Sequence, residues 1–185
     1  MTSADGPIQG ATGTHIPAAV LVPLFTAPDG DLHAVFTKRR HDLRHHAGEI
    51  SFPGGRRDPE DADLHETALR EAEEEIGLPR AAVTPLGFLP PVSTFVTNYL
   101  IHPLVGLIRP GTQWTISARE VDAVLELSLT ELRESRTRTR LERRGFSFET
   151  DAYILREHLI WGATARILEN LLEQLDSLMA RPAGR

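Results

Sequence analysis

Residues 48–78, GEISFPGGRRDPEDADLHETALREAEEEIGL, constrain this chain more than any other stretch. They read as a short strand, a Gly-Gly turn, an acidic loop and then a carboxylate-loaded helix. Asp63 is placed to cap the helix N-terminus, and Glu66 three residues later completes a capping box. Gly77 supplies a left-handed residue at the C-terminus, and Pro79 prevents the helix from continuing. Between these caps Ala68, Leu69, Ala72 and Ile76 recur at helical spacing, a stripe that must be buried. Glu71, Glu74 and Glu75 stand beside the stripe at i, i+3 and i+4, while Glu73 points toward solvent.

Three like charges on one helical face repel, and only Arg70, four residues before Glu74, is placed to offset them. A solvated acidic face is one explanation. Two features favour another. The carboxylates border the buried stripe, and the glycine turn can fold back so that bare carbonyl oxygens approach them. Hard oxygen donors at that density suit Mg²⁺ or Mn²⁺, which would relieve the repulsion. A cation held this way can clamp phosphate oxygens and activate water.

The same residues resemble the Nudix box, G-x5-E-x7-R-E-U-x-E-E-x-G-U with U aliphatic. Its second half corresponds to Arg70-Glu71-Ala72-Glu73-Glu74-Glu75-Ile76-Gly77-Leu78, with Ala72 as a small U. The first half departs: Asp61 stands where the early Glu belongs, with one extra residue before Arg70. That extra residue is similar to one branch of the superfamily, the coenzyme A pyrophosphatases. The branch also carries L-L-T-x-R-[SA]-x3-R-x3-G-x3-F-P-G-G ahead of its box. Here Val35-Phe36-Thr37-Lys38-Arg39-Arg40 is followed by Arg44, Gly48 and Phe52-Pro53-Gly54-Gly55 at the matching spacings. Val35-Phe36 replaces the two Leu conservatively, whereas Arg40 replaces a small residue. Ile160-Trp161-Gly162-Ala163-Thr164-Ala165-Arg166 resembles the last helix of the same branch.

The resemblance implies a Nudix fold and a metal-dependent diphosphatase. It would cleave coenzyme A or acyl-coenzyme A to 4′-phosphopantetheine and adenosine 3′,5′-bisphosphate. By the same resemblance Glu71, Glu74 and Glu75 hold Mg²⁺ or Mn²⁺ together with the Gly54 carbonyl, and Arg70 orients a glutamate rather than touching substrate. Related enzymes bring another Glu across the cleft as ligand or general base. Its counterpart is Glu120, just before Val121, for which an exposed strand-edge charge is the equal alternative; Glu71 as the base also stays open. Cleavage of ADP-ribose or NADH, and nucleotide binding without hydrolysis, are the competing functions. A module free of catalysis has no need for three mutually repelling acids, which disfavours the second.

Substrate with several phosphates needs cations beyond the metal. Arg39, Arg40 and Arg44 are expected to contact phosphate rather than form only a solvated basic strand end. Residues 133–144 hold six Arg interrupted by Glu134 and Glu142, and read first as a mobile solvated loop. His41, His45 and His46 favour a loop that carries histidines over a zinc site, since no Cys is present. Phe95 and Trp161 are candidates to stack on adenine, with core packing preferred for Trp161.

The remaining chain is compatible. With 185 residues, 41% hydrophobic and 25% charged, it is expected to form one domain over residues 16–181, after a poorly ordered arm, 1–15. A formal net charge of -6 argues against a nucleic-acid binder. No apolar run reaches membrane-span length, the N-terminus lacks the charged region of a signal peptide, and no cysteine is available for disulfides. A cytoplasmic enzyme acting on a small nucleotide is expected, with a homodimer by family analogy. Strands are expected over 18–25, 32–37, 82–89, 99–108 and 121–127, a hairpin or strand pair over 146–155, and a short helix capped by Ser128. Residues 160–179 form a long helix with Ala163, Ile167, Leu171, Leu172, Leu175 and Leu178 toward the core. A mixed sheet between the box helix and this helix makes an α/β protein, a three-layer α/β/α sandwich.

Overall fold

The apolar run 18–25, broken only by Pro23, cannot face water on either side, and the chain buries it in the middle of a sheet. The computed structural model describes residues 15–42, 48–94, 97–143 and 145–180. In it β1 (Ile16–Thr26) runs parallel to β7 (Tyr99–Leu107), the one parallel pair in a sheet otherwise antiparallel among the described residues. The order β3-β2-β1-β7-β5 joins β2 (Leu32–Arg39), β3 (Ile50–Ser51) and β5 (Thr84–Phe88) to them. Off this path β4 (Gly54–Arg56) pairs with β1, β6 (Val92–Ser93) with β7, and β8 (Val121–Ser128) with β2.

Alternation along β1 divides two cores. Ala19, Leu21 and Phe25 pack with Ala68, Leu69, Ala72 and Ile76 of α1 (Leu64–Ile76). Val22 and Leu24 pack with Ile167, Leu168, Leu171 and Leu172 of α3 (Gly162–Met179), and with Leu132 of α2 (Leu129–Glu134). The sheet therefore lies between helices on both faces, the three-layer α/β/α arrangement expected.

One seam in this sheet positions the site. The second edge of β1 pairs with β4 at residues 18–20 and with β2 only from Leu24 onward. Pro23, which has no N–H to give to a ladder, falls at the changeover. Between these pairings β2 splays away, and the turn 52–54 inserts, with the Leu21 amide donating to the Pro53 carbonyl at 2.8 Å. Phe52 anchors the insertion by stacking on Phe36 of β2, ring centres 4.5 Å apart. Gly54 follows with φ 155°, where an added Cβ would meet the Ala19 carbonyl oxygen at 2.4 Å. Only glycine fits there.

A second sheet of three strands, β9 (Arg136–Arg143), β10 (Phe146–Leu155) and β11 (His158–Trp161), stands against the first. It corrects two expectations. The arginine-rich stretch is not a loop: its alternation of Arg with Thr puts Arg138 and Arg140 on one face, beside Glu149 of β10 at 3.5 and 4.0 Å. Cross-strand pairing with the strand that directly follows, β10, converts a charge run into an edge strand. Ile160 and Trp161 belong to β11 rather than to the last helix, which starts at Gly162; Leu178 near its end is exposed. Residues 80–82 form a single 3-10 turn before β5. The expected arm, 1–15, lies outside the described residues except for His15.

Candidate active site

Helix α1 forms between the caps its sequence provides. The Asp63 side chain accepts the Glu66 amide at 2.8 Å, and Gly77 ends the helix in the left-handed region with φ 68°. Its apolar stripe faces β1, so the flanking positions of Glu71 and Glu75 are carried toward the sheet while Glu74 remains on the rim, 60% exposed. The Glu66 carboxylate pairs with Arg80, which also holds Glu73.

Arg70 organises this end of the helix. Its guanidinium grips Asp61 with both faces of the fork, Nε to Oδ1 at 2.8 Å and Nη2 to Oδ2 at 2.9 Å. The remaining Nη1 donates to Glu71 at 2.9 Å and to Glu74 at 3.2 Å. Asp61 is buried, 4% exposed, and also accepts from the Asp58 amide and the Thr67 hydroxyl. The hydrogen bonds from Arg70 lead the causes that hold its carboxyl well below the usual carboxylate range. Asp61 thus fixes the arginine that aligns two of the glutamates, a partner the sequence could not assign because one residue is inserted before Arg70.

Glu75 lies deepest. Burial, reinforced by Glu71 and Glu120, pushes its carboxyl up to about 8, although the Gly54 amide donates to it at 3.2 Å and Arg39 stands 4.0 Å away. Glu71 is raised as well, burial again being the main cause and Arg70 the main offset. Gly55 makes room for it: an added Cβ would fall 2.6 Å from the Glu71 carboxyl carbon. Gly55→Ala should therefore leave stability within roughly 1 kcal/mol, because the clash is with the end of a flexible side chain. It should lower Mn²⁺ affinity, since Glu71 must move; titration of Mn²⁺ by electron paramagnetic resonance checks this.

Glu120 faces the cluster from the loop before β8, 53% exposed, with its carboxylate 3.8 Å from Arg39. Arg39 thus lies between Glu75 and Glu120, outside hydrogen-bond reach of both, and its buried Nε has no protein partner. Arg40 is differently occupied: its fork binds Asp42 at 2.8 and 2.6 Å and the Ala118 carbonyl, fastening the loop that carries Glu120. Arg44, His45, His46 and Phe95 lie outside the described residues.

Among the described residues no three acids or histidines are already drawn into a metal cage. The donor chemistry nonetheless fits a hard divalent ion. Glu75 is a buried carboxylate with one amide hydrogen bond and a distant arginine, and further acids adjoin it, so a small dication is the species that would neutralise them. Glu71, Glu74 and Glu75 are the carboxylates that would hold it.

Beside this rim, and reached past Arg39, a cavity of about 770 Å³ opens between the two sheets and the start of α3. Trp161 and Phe148, with ring centres 6.0 Å apart, form part of its wall with Tyr153. Trp161 was expected in the core; it sits instead at the N-cap of α3, half-buried against the cavity, because β11 carries it there. Phe148 and Tyr153 were not singled out from the sequence. Residues 146–155 form one strand, β10, rather than the expected hairpin or strand pair, because its partners are β9 and β11, and its own sequence does not say what it faces.

This fold and site define a Nudix protein: the NUDIX domain model matches residues 15–147, and the chain belongs to that family. Its similarity to particular members is close. It is 40% identical over 160 residues, 85% of this chain and 84% of the relative, to the uncharacterized Nudix hydrolase NudL of Photorhabdus laumondii. The NudL of Salmonella paratyphi B is 41% identical over 85% of this chain and 82% of its own. Among solved structures, the Nudix hydrolase RenU from M. smegmatis superposes with a TM-score of 0.62 at 16% identity, over 92% of this chain and 91% of the other. The NUDIX domain of Shewanella oneidensis NrtR, complexed with ADP ribose, gives 0.57 at 14%, over 89% and 91%. These two likenesses concern the fold. The chain is a Nudix hydrolase.

Proposed function

We propose that this hydrolase cleaves the diphosphate linkage of coenzyme A or acyl-coenzyme A, giving 4′-phosphopantetheine and adenosine 3′,5′-bisphosphate. The observation that carries the reading is the buried Glu75, held by one amide with Arg39 4.0 Å away, beside Glu71 and Glu120 and next to a cavity large enough for an organic substituent. The signature from Val35 to Gly55 directs it to coenzyme A rather than to another diphosphate.

Mg²⁺ or Mn²⁺ held by Glu71, Glu74, Glu75 and the Gly54 carbonyl would supply charge neutralisation on the diphosphate and a water of lowered pKa. Arg70, clamped by Asp61, keeps Glu71 and Glu74 aligned without touching substrate. Glu120 faces them from across the cleft and is suited to take the proton from the attacking water, with Glu71 the other group in reach of that role. Arg39, free of hydrogen-bonded carboxylates, is available to a phosphate oxygen, and Arg44 belongs to the same signature. Arg40 acts through the loop it fastens.

Incubating the protein with Mg²⁺ and coenzyme A and separating the products tests this. Two new species, the pantetheine phosphate and the adenosine bisphosphate, are expected. Cleavage of ADP-ribose or NADH with none of coenzyme A would move the protein to another Nudix activity, and tight nucleotide binding without product under saturating Mn²⁺ would make it a binding module. Glu74→Gln, at an exposed rim position, should remove most turnover and leave the melting temperature unchanged.

A further inference from the structure

The cavity has a charge pattern that selects which end of a diphosphate substrate enters it. Among the described residues four acids line it, Glu49, Glu149, Asp151 and Glu169, against three arginines, Arg39, Arg136 and Arg166. Two of the arginines are engaged: Arg136 with Glu169, and Arg166 with the Ser93 carbonyl at 2.9 Å. Among the described arginines of the lining, Arg39, beside the glutamates, keeps a buried Nε with no protein partner and is available to an incoming anion. A phosphomonoester carried deep into this space would meet Asp151 and carboxylates whose arginine partners are already engaged, a costly exchange for its hydration.

The walls suit a different guest. Ile101, Tyr153, Phe148, Trp161, Ala163 and Ala165 supply apolar surface. Hydroxyls are interspersed, from Ser51, Thr94, Thr97, Thr150 and Thr164. A long neutral chain of methylenes and amides can bury its carbons on such a surface while each amide finds a hydroxyl partner. Adenosine bearing a 3′-phosphate cannot be accommodated there without burying that charge.

We propose that the cavity takes the neutral arm of the substrate, the pantetheine chain and its acyl group, and that the phosphorylated nucleoside stays outside it, beyond the glutamate rim. This rests on the coenzyme A reading for the identity of the arm, though the charge pattern itself does not depend on it. The cavity then sets acyl preference, with Trp161 and Phe148 against the chain. The 3′-phosphate contributes little to recognition.

Trp161 reports on the cavity directly. The chain has two tryptophans, and Trp114, whose indole donates to Glu126 away from the site, can be replaced by Phe to isolate the signal. In Trp114→Phe, S-octanoylpantetheine should quench or shift Trp161 fluorescence saturably, and adenosine 3′,5′-bisphosphate should neither do so nor compete. In the hydrolysis assay Ala163→Phe, which narrows the cavity, should raise KM for octanoyl-coenzyme A by about tenfold or more relative to its effect on coenzyme A. Coenzyme A and 3′-dephospho-coenzyme A should respond alike. A Trp161 response to the bisphosphate and none to the acyl arm would overturn the proposal, as would an equal KM effect on ADP-ribose and octanoyl-coenzyme A. The fluorescence arm needs no turnover: arm binding without cleavage of any coenzyme A would defeat the assigned reaction and leave this cavity assignment standing. Cleavage of coenzyme A with the bisphosphate in the cavity would do the reverse.

Discussion

Glu75→Gln is expected to move activity and stability in opposite directions. Loss of a buried metal-holding carboxylate should lower kcat by roughly 10²–10³-fold, the equivalent of several kcal/mol of electrostatic stabilisation. The metal-free protein should become more stable. A carboxyl whose folded value rises from 4.5 to about 8 holds its proton more tightly folded than unfolded. Metal-free stability contributed by this group is therefore full below about pH 4.5, falls as pH rises, and is lost above about pH 8. Glutamine carries no charge to desolvate, so the variant should melt higher than the parent at pH 8, each kcal/mol being worth about 2–4 °C at this chain length. Near pH 5 the two should converge. Calorimetry in chelator at both pH values, with turnover in Mg²⁺, makes the comparison; equal melting temperatures at pH 8 would show that Glu75 is not desolvated as the fold implies.

Asp61→Ala should carry the largest loss of stability. It removes a buried carboxylate that makes two hydrogen bonds to Arg70 and two more to the Asp58 amide and Thr67. Breaking one side of such a pair costs about 3–5 kcal/mol, because Arg70 is left half-buried without its main anion. The melting temperature should drop by roughly 6–20 °C. The sign of the pH dependence is opposite to that of Glu75. A carboxyl depressed below 3.8 stabilises the fold fully above that value and loses the contribution as pH falls toward its folded value. The parent should therefore lose stability steeply below about pH 4, and the variant should lack this acid-sensitive part of its curve. Activity should fall by about 10–100-fold as well, since Arg70 would no longer be held against Glu71 and Glu74. A variant that melts like the parent would place the stabilisation of Arg70 elsewhere.

Helix α1 was legible in the chain almost to the residue. Asp63, Gly77 and the stripe of Ala68, Leu69, Ala72 and Ile76 are local signals, and the structure realises each with the groups expected. The strand β1 was equally clear, since an apolar run broken only by Pro23 has few other fates. By contrast, Arg136 to Arg143 looked like a solvated loop because its charges are compensated only across a ladder, by Glu149 and by Glu169 of the last helix. Trp161 was misplaced for a related reason. Its neighbours continue an apolar pattern into α3, but pairing of Ala152 with Trp161 in β10 and β11 extends the strand through it.

The glutamates of one helix could be recognised from spacing alone, because three acids within five residues share a face wherever that helix lies. Their depth could not. Whether Glu75 is buried and Glu74 wet depends on how α1 settles on β1 and on the turn at Gly54, contacts between residues far apart in the chain. The same is true of Arg39 between Glu75 and Glu120, and of the cavity beyond it, whose walls come from the first sheet, the second sheet and the last helix. Periodicity and caps are written residue by residue and survive in a one-dimensional reading. Desolvation and the shape of a cavity arise only when distant segments exclude water together, and those belong to the tertiary structure.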